Sequence, residues 1–272
     1  TGRPVVIIAS PYIPFPLSHG GAVRMYNLMR QAAQDFDLVL LTFVDALATP
    51  PPEVLALCVE TVLVRRHASH LLPLTERPTV VDEFDSEAFR AALQLAVKRW
   101  RATIVQLEFT QMALYAAHCV PARTILVEHD ITLDLYSQLL ERNPGDWETA
   151  QQHQRWERFE QAAWRKVDVV VAMSEKDRRS IGLDNAVSLP NGVDLDRFQP
   201  ATESPDPARI LFIGSFAHLP NLLAIDFFLR EAWPLVQVEA PEAVLHIIAG
   251  SRHRYFLDHY RDRVDPPLDQ AQ

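Results

Sequence analysis

The chain has little cysteine: Cys58 and Cys119 are the only two among 272 residues. Two cannot build a disulfide framework, and a reducing cytosol is their simplest home. A basic excess is also lacking. Lys plus Arg total 26 against 35 for Asp plus Glu, a formal net charge of −9. That balance argues against a nucleic-acid binder, which needs a positive field, and leaves room only for a local patch that holds phosphate. No apolar run approaches the roughly 20 residues that span a bilayer. No signal-peptide pattern is visible, although the chain opens at Thr1 rather than Met, so a missing start or a removed leader stays open. Internal repeats, low-complexity tracts, a G-x-G-x-x-G fingerprint and a Walker lysine are absent as well. What is present is an apolar share of 48%, enough for a sizeable core in one large domain or two ordinary ones.

The run Val5-Val6-Ile7-Ile8-Ala9 is continuously apolar and rich in β-branched residues. It predicts a strand buried on both faces, the habit of a parallel sheet. A loop with three prolines follows, then Gly20-Gly21 and a helix whose apolar positions Met25, Leu28, Met29 and Ala32 share one face. Further strands are predicted over Leu38–Phe43, Thr61–Val64, Ile104–Leu107, Thr124–Val127, Val167–Met173 and Ala186–Leu189. Ser86 caps a helix running to Trp100, a polar and aromatic helix covers Asp146–Lys166, and Ser174 caps a short helix that Gly182 stops. Residues 194–208, with Pro200, Pro205 and Pro207, form a linker. A right-handed βαβ unit comes next: strand Arg209–Ile213, one helix from Asn221 to about Val238, and strand Ala243–Ala249. Alternating strands and helices make the class α/β, with a first domain over 1–193 and a second over 209–272. Two strands and a helix cannot cover themselves. The second unit is therefore expected to lean on the first, to pair with another chain as a homodimer, or to belong to a longer product.

Several residues stand where chemistry could occur. Gly20 and Gly21 open the first helix, so backbone N–H groups can approach an anion there; a plain helix entry is the alternative. Glu128 and His129 end a buried strand, and in open α/β sheets ligands bind at the carboxyl ends of strands. Glu108 shares that edge; it can bind a hydroxyl-rich substrate or serve a helix N-terminus. Asn191-Gly192 is a turn signal at the end of the first domain. Ser215 and the helix opening near Asn221 can meet a phosphate, or simply let the chain turn. Asp35/Asp37 and Asp194/Asp196 match D-x-D only formally, and His67 with His70 has ligand-like spacing but no partner cluster, so no metal site is expected. Trp156, Phe159 and Trp164 read as packing residues, and Arg155, Arg158 and Arg165 as a solvated face.

Taken in order, these pieces resemble a known family. They are the proline-rich loop with G-G, the strand ending in E-H-D, then V-V-V-A-M-S-E-K-D, L-P-N-G-V-D-L-D-R-F-Q-P and I-L-F-I-G-S. The chain resembles a retaining glycosyltransferase of the GT-B fold, group 1 (family 4), most closely a subgroup of bacterial envelope and exopolysaccharide clusters. The resemblance implies two Rossmann-like domains with a cleft between them. A nucleotide-diphosphate sugar binds mainly to the second, and a glycan or lipid-linked acceptor mainly to the first. It implies transfer with retention, no metal and no cofactor beyond the nucleotide sugar. Carried over, Gly20 and Gly21 match the glycine loop near the diphosphate, His129 the histidine on the transferred sugar, Asn191 the hinge asparagine, and Ser215 the loop opening the donor domain. The pattern also departs from the family. Where relatives carry Arg and Lys after G-S, this chain reads Phe216-Ala217-His218-Leu219-Pro220-Asn221, leaving His218 as a partial substitute. The donor-binding E-x7-E lies beyond the last strand, so the chain as it stands is expected to turn over little. A naturally short, non-catalytic protein binding a glycan or a partner is the alternative. The expected location is cytoplasmic, with peripheral contact at the inner membrane face left open, since no strongly basic amphipathic helix is visible.

Overall fold

The computed structural model describes residues 2–46, 49–66, 75–200, 202, 204–250 and 253–255, and divides into two units, Thr1–Val193 and Asp194–Gln272. Seven strands build the first unit: β1 (Val5–Ser10), β2 (Asp37–Val44), β3 (Cys58–Arg65), β4 (Ile104–Glu108), β5 (Arg123–Glu128), β6 (Val169–Ala172) and β7 (Ala186–Ser188). They form one parallel sheet in the order β3-β2-β1-β4-β5-β6-β7. The order reverses at β1, so the carboxyl ends of β1 and β4 flank the point where doubly wound sheets leave a crevice.

Both faces of the sheet are covered, which is why its strands read as continuous apolar runs. Helix α1 (Gly20–Ala32) and the short α2 (Pro52–Leu55) cover one face, where Met29 and Val54 pack on Val6, Ile8, Leu38 and Leu40. Phe84 just after the short α3 (Thr79–Glu83), α4 (Glu87–Trp100), a 3₁₀ segment over Thr110–His118 and α6 (Trp147–Lys166) contribute to the other. There Phe43 stacks on Phe89 with ring centroids 4.4 Å apart, and Phe89 meets Tyr115 at 4.5 Å. Trp156 and Trp164 are buried as expected, while Arg158 and Arg165 are exposed. Ser86 accepts from the Phe89 amide at the start of α4, and Ser174 accepts from the Asp177 amide at the start of α7 (Glu175–Ile181). Gly182 ends α7 at φ 65°, a left-handed stop that glycine adopts without strain.

Helix α5 (Thr132–Arg142) and the 3₁₀ segment were not anticipated, and α5 buries none of its own residues. Its first amides are capped instead from α6: Glu160 accepts from Thr132 N at 2.8 Å and Leu133 N at 3.1 Å. The formal D-x-D pairs have local duties. Asp37 accepts from Arg3 at 2.8 and 3.0 Å, and Asp194 caps the turn Asp196–Arg197. His67 and His70 lie outside the described residues.

The second unit pairs β8 (Arg209–Ile213) with β9 (Val244–Ile248) in parallel. Phe216, Leu222 and Ile225 form its small core. The single helix expected between the strands is broken into α8 (Leu219–Phe227), a π-helical stretch over Phe228–Ala232 and α9 (Trp233–Glu239). Pro234 has no N–H to donate and its ring crowds the carbonyl four residues back, so the wider turn relieves an α-helix that could not run through it. Among the described residues, no helix is long and apolar enough to cross a membrane.

Among the buried carboxyl groups of the first unit, Glu128 and Glu160 have raised pKa values. Glu128 accepts from Trp164 Nε1 at 2.7 Å and from the Thr110 hydroxyl. Burial first, then Glu160, pushes its pKa up to about 8, and burial pushes Glu160 up to about 7. Both folded values lie above the ordinary carboxyl value of 4.5, so the folded chain keeps protons that the unfolded chain releases. Stability is therefore expected to fall as pH rises from 4.5 towards about 8, and Glu128→Gln should flatten that slope. Thermal denaturation across this range measures it, and a Tm that rises steadily through the window contradicts the assignment.

Candidate functional site at the carboxyl edge of the larger sheet

The turn after β1 carries Tyr12 and leads to His19, which caps α1: its Nδ1 accepts from the Ala22 amide at 3.4 Å. Strand β4 ends in Glu108 and β5 in Glu128, with His129 next. Parallel pairing sets Glu108 opposite Val127, so Glu128 lies one residue further along its strand.

Glu108 and His129 meet. His129 Nε2 lies 2.7 Å from Glu108 Oε2, and both side chains are almost fully buried, at 7% and 3% exposure. Gln106 Nε2 donates to the other oxygen, Glu108 Oε1, at 2.5 Å. The helix-partner reading of Glu108 is thereby corrected, because its partners are a histidine and an amide side chain. Phe109 stacks on the imidazole with centroids 3.8 Å apart and planes 9° apart. It does so from φ 72°, a left-handed backbone costly for an aromatic residue, of order 1–3 kcal/mol. Tyr12 packs on Phe109 at 5.4 Å and on His19 at 4.9 Å, so four rings run in series from α1 to β5.

Gly21 sits beneath this stack. A Cβ placed there would lie 2.8 Å from Phe109 Cζ and closer still to the Tyr12 hydroxyl, whereas at Gly20 it would meet nothing within 4 Å. The Tyr12 hydroxyl is buried without a hydrogen-bond partner among the described residues. Burial, then the charge of Glu108, raises its pKa, so it stays a protonated donor. Burial, then His129, lowers the pKa of His19 and favours a neutral ring.

The remaining predicted residues are placed elsewhere. Glu128 accepts from Trp164 and Thr110 within the core. Asn191 accepts from Arg24 NH1 at 2.9 Å, and Arg24 also donates to the Leu189 and Pro190 carbonyls at 2.8 and 3.2 Å. Arg24 was not anticipated: it lies on a helix and is nearly fully buried. In the second unit, Ser215 and His218 are exposed in the loop after β8. Asn221 Nδ2 donates to the Ser215 carbonyl at 2.9 Å, and its side chain would lie 2.9 Å from any Cβ at Gly214. Beside Tyr12, a cavity of about 390 Å³ opens at the ends of β1, β2 and β3, lined by Tyr12, Phe43, Asp45, Arg66 and Phe84 among others. Arg66 is held there by Asp45 at 2.8 Å and lies over the Phe84 ring at 5.4 Å. No group of three or more potential metal ligands occurs among the described residues.

No protein-family model and no curated protein matches the chain. Solved structures do. Sucrose-phosphate synthase from Thermosynechococcus elongatus is similar at a TM-score of 0.57 with 14% identity, over 95% of this chain and 73% of that one. Phytolacca americana UGT2, complexed with UDP-2-fluoro-glucose and pterostilbene, is similar at 0.52 with 12% identity, over 92% and 72%. The N-terminal domain of Candida albicans trehalose-6-phosphate phosphatase is similar at 0.52 with 10% identity, over 96% and 69%. At such identities the likeness establishes the fold, a Rossmann-like architecture of the GT-B type.

The stack over Gly21 can be tested directly. Gly21→Ala is expected to destabilise the chain by about 1–3 kcal/mol through overpacking against two rings. Gly20→Ala, with open space, should stay within about 1 kcal/mol of the parent. Equal losses for the two variants in thermal or urea denaturation contradict the packing assigned to Gly21.

Proposed function

We propose that the chain carries the acceptor-side domain, residues 1–193, a linker over 194–208 and the start of a donor domain from a retaining glycosyltransferase. The observation that carries this reading is the Glu108–His129 pair beside the Gly20-Gly21 helix entry, all at the carboxyl edge of a doubly wound sheet at its switch point. A buried, oriented imidazole suits a sugar hydroxyl, and the helix entry suits an anion such as a diphosphate. The GT-B type fold supports the same class. UGT2 was solved with UDP-2-fluoro-glucose, which makes a nucleotide sugar the natural donor to test.

In this reading the bond from the anomeric carbon to the diphosphate oxygen breaks, and an acceptor hydroxyl oxygen bonds to that carbon on the same face. Its proton passes to a leaving phosphate oxygen, and a nucleoside diphosphate departs. His129 positions the transferred sugar, and backbone amides at Gly20 and Gly21 face the diphosphate. Ser215 and His218 belong to the donor side, and Asn191 to the hinge. The cavity beside Tyr12 takes the acceptor, a glycan or a lipid-linked sugar; its aromatic walls suit a sugar face, and Asp45 suits hydroxyls. No metal or cofactor is invoked. The setting is the cytoplasm, with the acceptor bringing the protein to the inner membrane face where it is lipid-linked.

The test is titration of the chain with UDP-glucose, GDP-mannose and the free sugars, followed by NMR, with release of nucleoside diphosphate measured alongside. Saturable binding of at least one compound is expected, weakened about tenfold or more by His129→Ala, the scale of one hydrogen bond in a partly buried site. Absence of saturable binding, or binding indifferent to His129→Ala, overturns the reading.

A further inference from the structure

Glu108 is buried with both carboxylate oxygens engaged, one by Gln106 Nε2 at 2.5 Å and the other by His129 Nε2 at 2.7 Å. A carboxylate only accepts hydrogen bonds, so in a neutral imidazole the proton of this pair belongs on Nε2. The opposite ring nitrogen, Nδ1, then holds a bare lone pair, and it has no hydrogen-bond partner among the described residues. The ring cannot easily rotate out of this arrangement. Phe109 lies parallel to it at 3.8 Å, and Tyr12 backs Phe109 at 5.4 Å. A left-handed backbone at Phe109, φ 72°, is maintained to keep that stack in place.

We infer that Glu108 is a positioning residue: it fixes His129 as the Nε2–H tautomer and so makes Nδ1 an acceptor that takes an O–H donor, the hydroxyl of a polyol or sugar. The inference rests on the proposed sugar-binding role of this edge for the identity of the ligand, while the tautomer itself does not depend on it. Glu108 thus acts through His129 and does not bind the ligand itself. A site built to accept from a hydroxyl discriminates against an analogue that lacks it, because the acceptor then loses its partner.

The chemistry of Gln106 makes the inference testable by one substitution. In Glu108→Gln, the Gln106 amide continues to donate to the side-chain oxygen at position 108, which turns the new NH2 towards His129. His129 Nε2 must then accept, and the ring proton moves to Nδ1. The experiment is two-bond ¹H–¹⁵N correlation of the histidine rings in ligand-free chain labelled at histidine, at about pH 8, where an ordinary imidazole is neutral. His129→Gln identifies the signal.

Expected is the Nε2–H pattern for His129 in the parent and the Nδ1–H pattern in Glu108→Gln. An Nδ1–H pattern or an even mixture in the parent overturns the inference, and so does an unchanged Nε2–H pattern in a folded Glu108→Gln chain. If that variant does not fold, the parent spectrum still decides the tautomer, and titration of the parent with glucose decides the acceptor role through the Nδ1 shift. Movement of Nδ1 supports it and an unmoved Nδ1 opposes it. The tautomer is read without ligand, so a failure of sugar transfer and a failure of this inference are seen in different measurements.

Discussion

At Gly21 the backbone of α1 passes so close to Phe109 and Tyr12 that a single added carbon would lie 2.8 Å from the phenyl ring. This close approach is the constraint on which the edge of the larger sheet depends. It lets Tyr12 lie over the helix entry, Phe109 lie against Tyr12, and His129 lie flat on Phe109. The cost is borne in the backbone at Phe109, whose positive φ is one of two outside glycine among the described residues. The other, Arg101 at φ 48°, only ends a helix, an ordinary place for a left-handed residue. Phe109 follows a strand and precedes a 3₁₀ turn, so its conformation serves the placement of its ring.

Two glutamates at the ends of neighbouring strands have different fates, and their neighbours decide which. Glu108 and Glu128 are both almost fully buried. Glu128 is met by an indole N–H and a hydroxyl and has a second buried carboxyl, Glu160, near enough to raise its pKa. Its environment favours the protonated form and keeps it in the packing of α6 against the sheet. Glu108 is met by an imidazole and an amide, groups that a carboxylate can orient. Equal burial therefore says little about function; the chemistry of the hydrogen-bond partners separates a structural acid from one that organises a site.

Much of the fold was legible because a doubly covered parallel sheet writes its strands as apolar runs, and β1, β2, β4 and β5 were found within one or two residues of their ends. Caps with a side-chain mechanism, Ser86, Ser174 and Gly182, were legible for the same local reason. Helix α5 was not, although Leu133, Tyr136 and Leu140 recur at helical spacing, because it has no local side-chain cap and its acceptor is Glu160 on another helix. The π-helical stretch before Pro234 was not legible, since a widened turn depends on how it packs. In the site, Gly21, Glu108 and His129 were visible as types in suitable places. Tyr12, Phe109 and Arg24 were not, because a ring stack and a buried guanidinium arise from tertiary placement that no short spacing encodes.

Arg24 shows how such a residue can matter without touching a ligand. Its guanidinium donates to two carbonyls and one side chain in Leu189–Asn191, the last turn of the first unit, while its backbone belongs to the helix that Gly21 opens. Burial lowers its pKa and the charge of Glu108 works against that, so the two groups are electrostatically linked across α1 and β4. A buried guanidinium bonded to carbonyls has one favourable geometry, because its donors form a rigid planar fork. Arg24 thereby ties the helix that Gly21 opens to the Leu189–Asn191 turn at the end of the first unit, with Glu108 close enough for its charge to be felt.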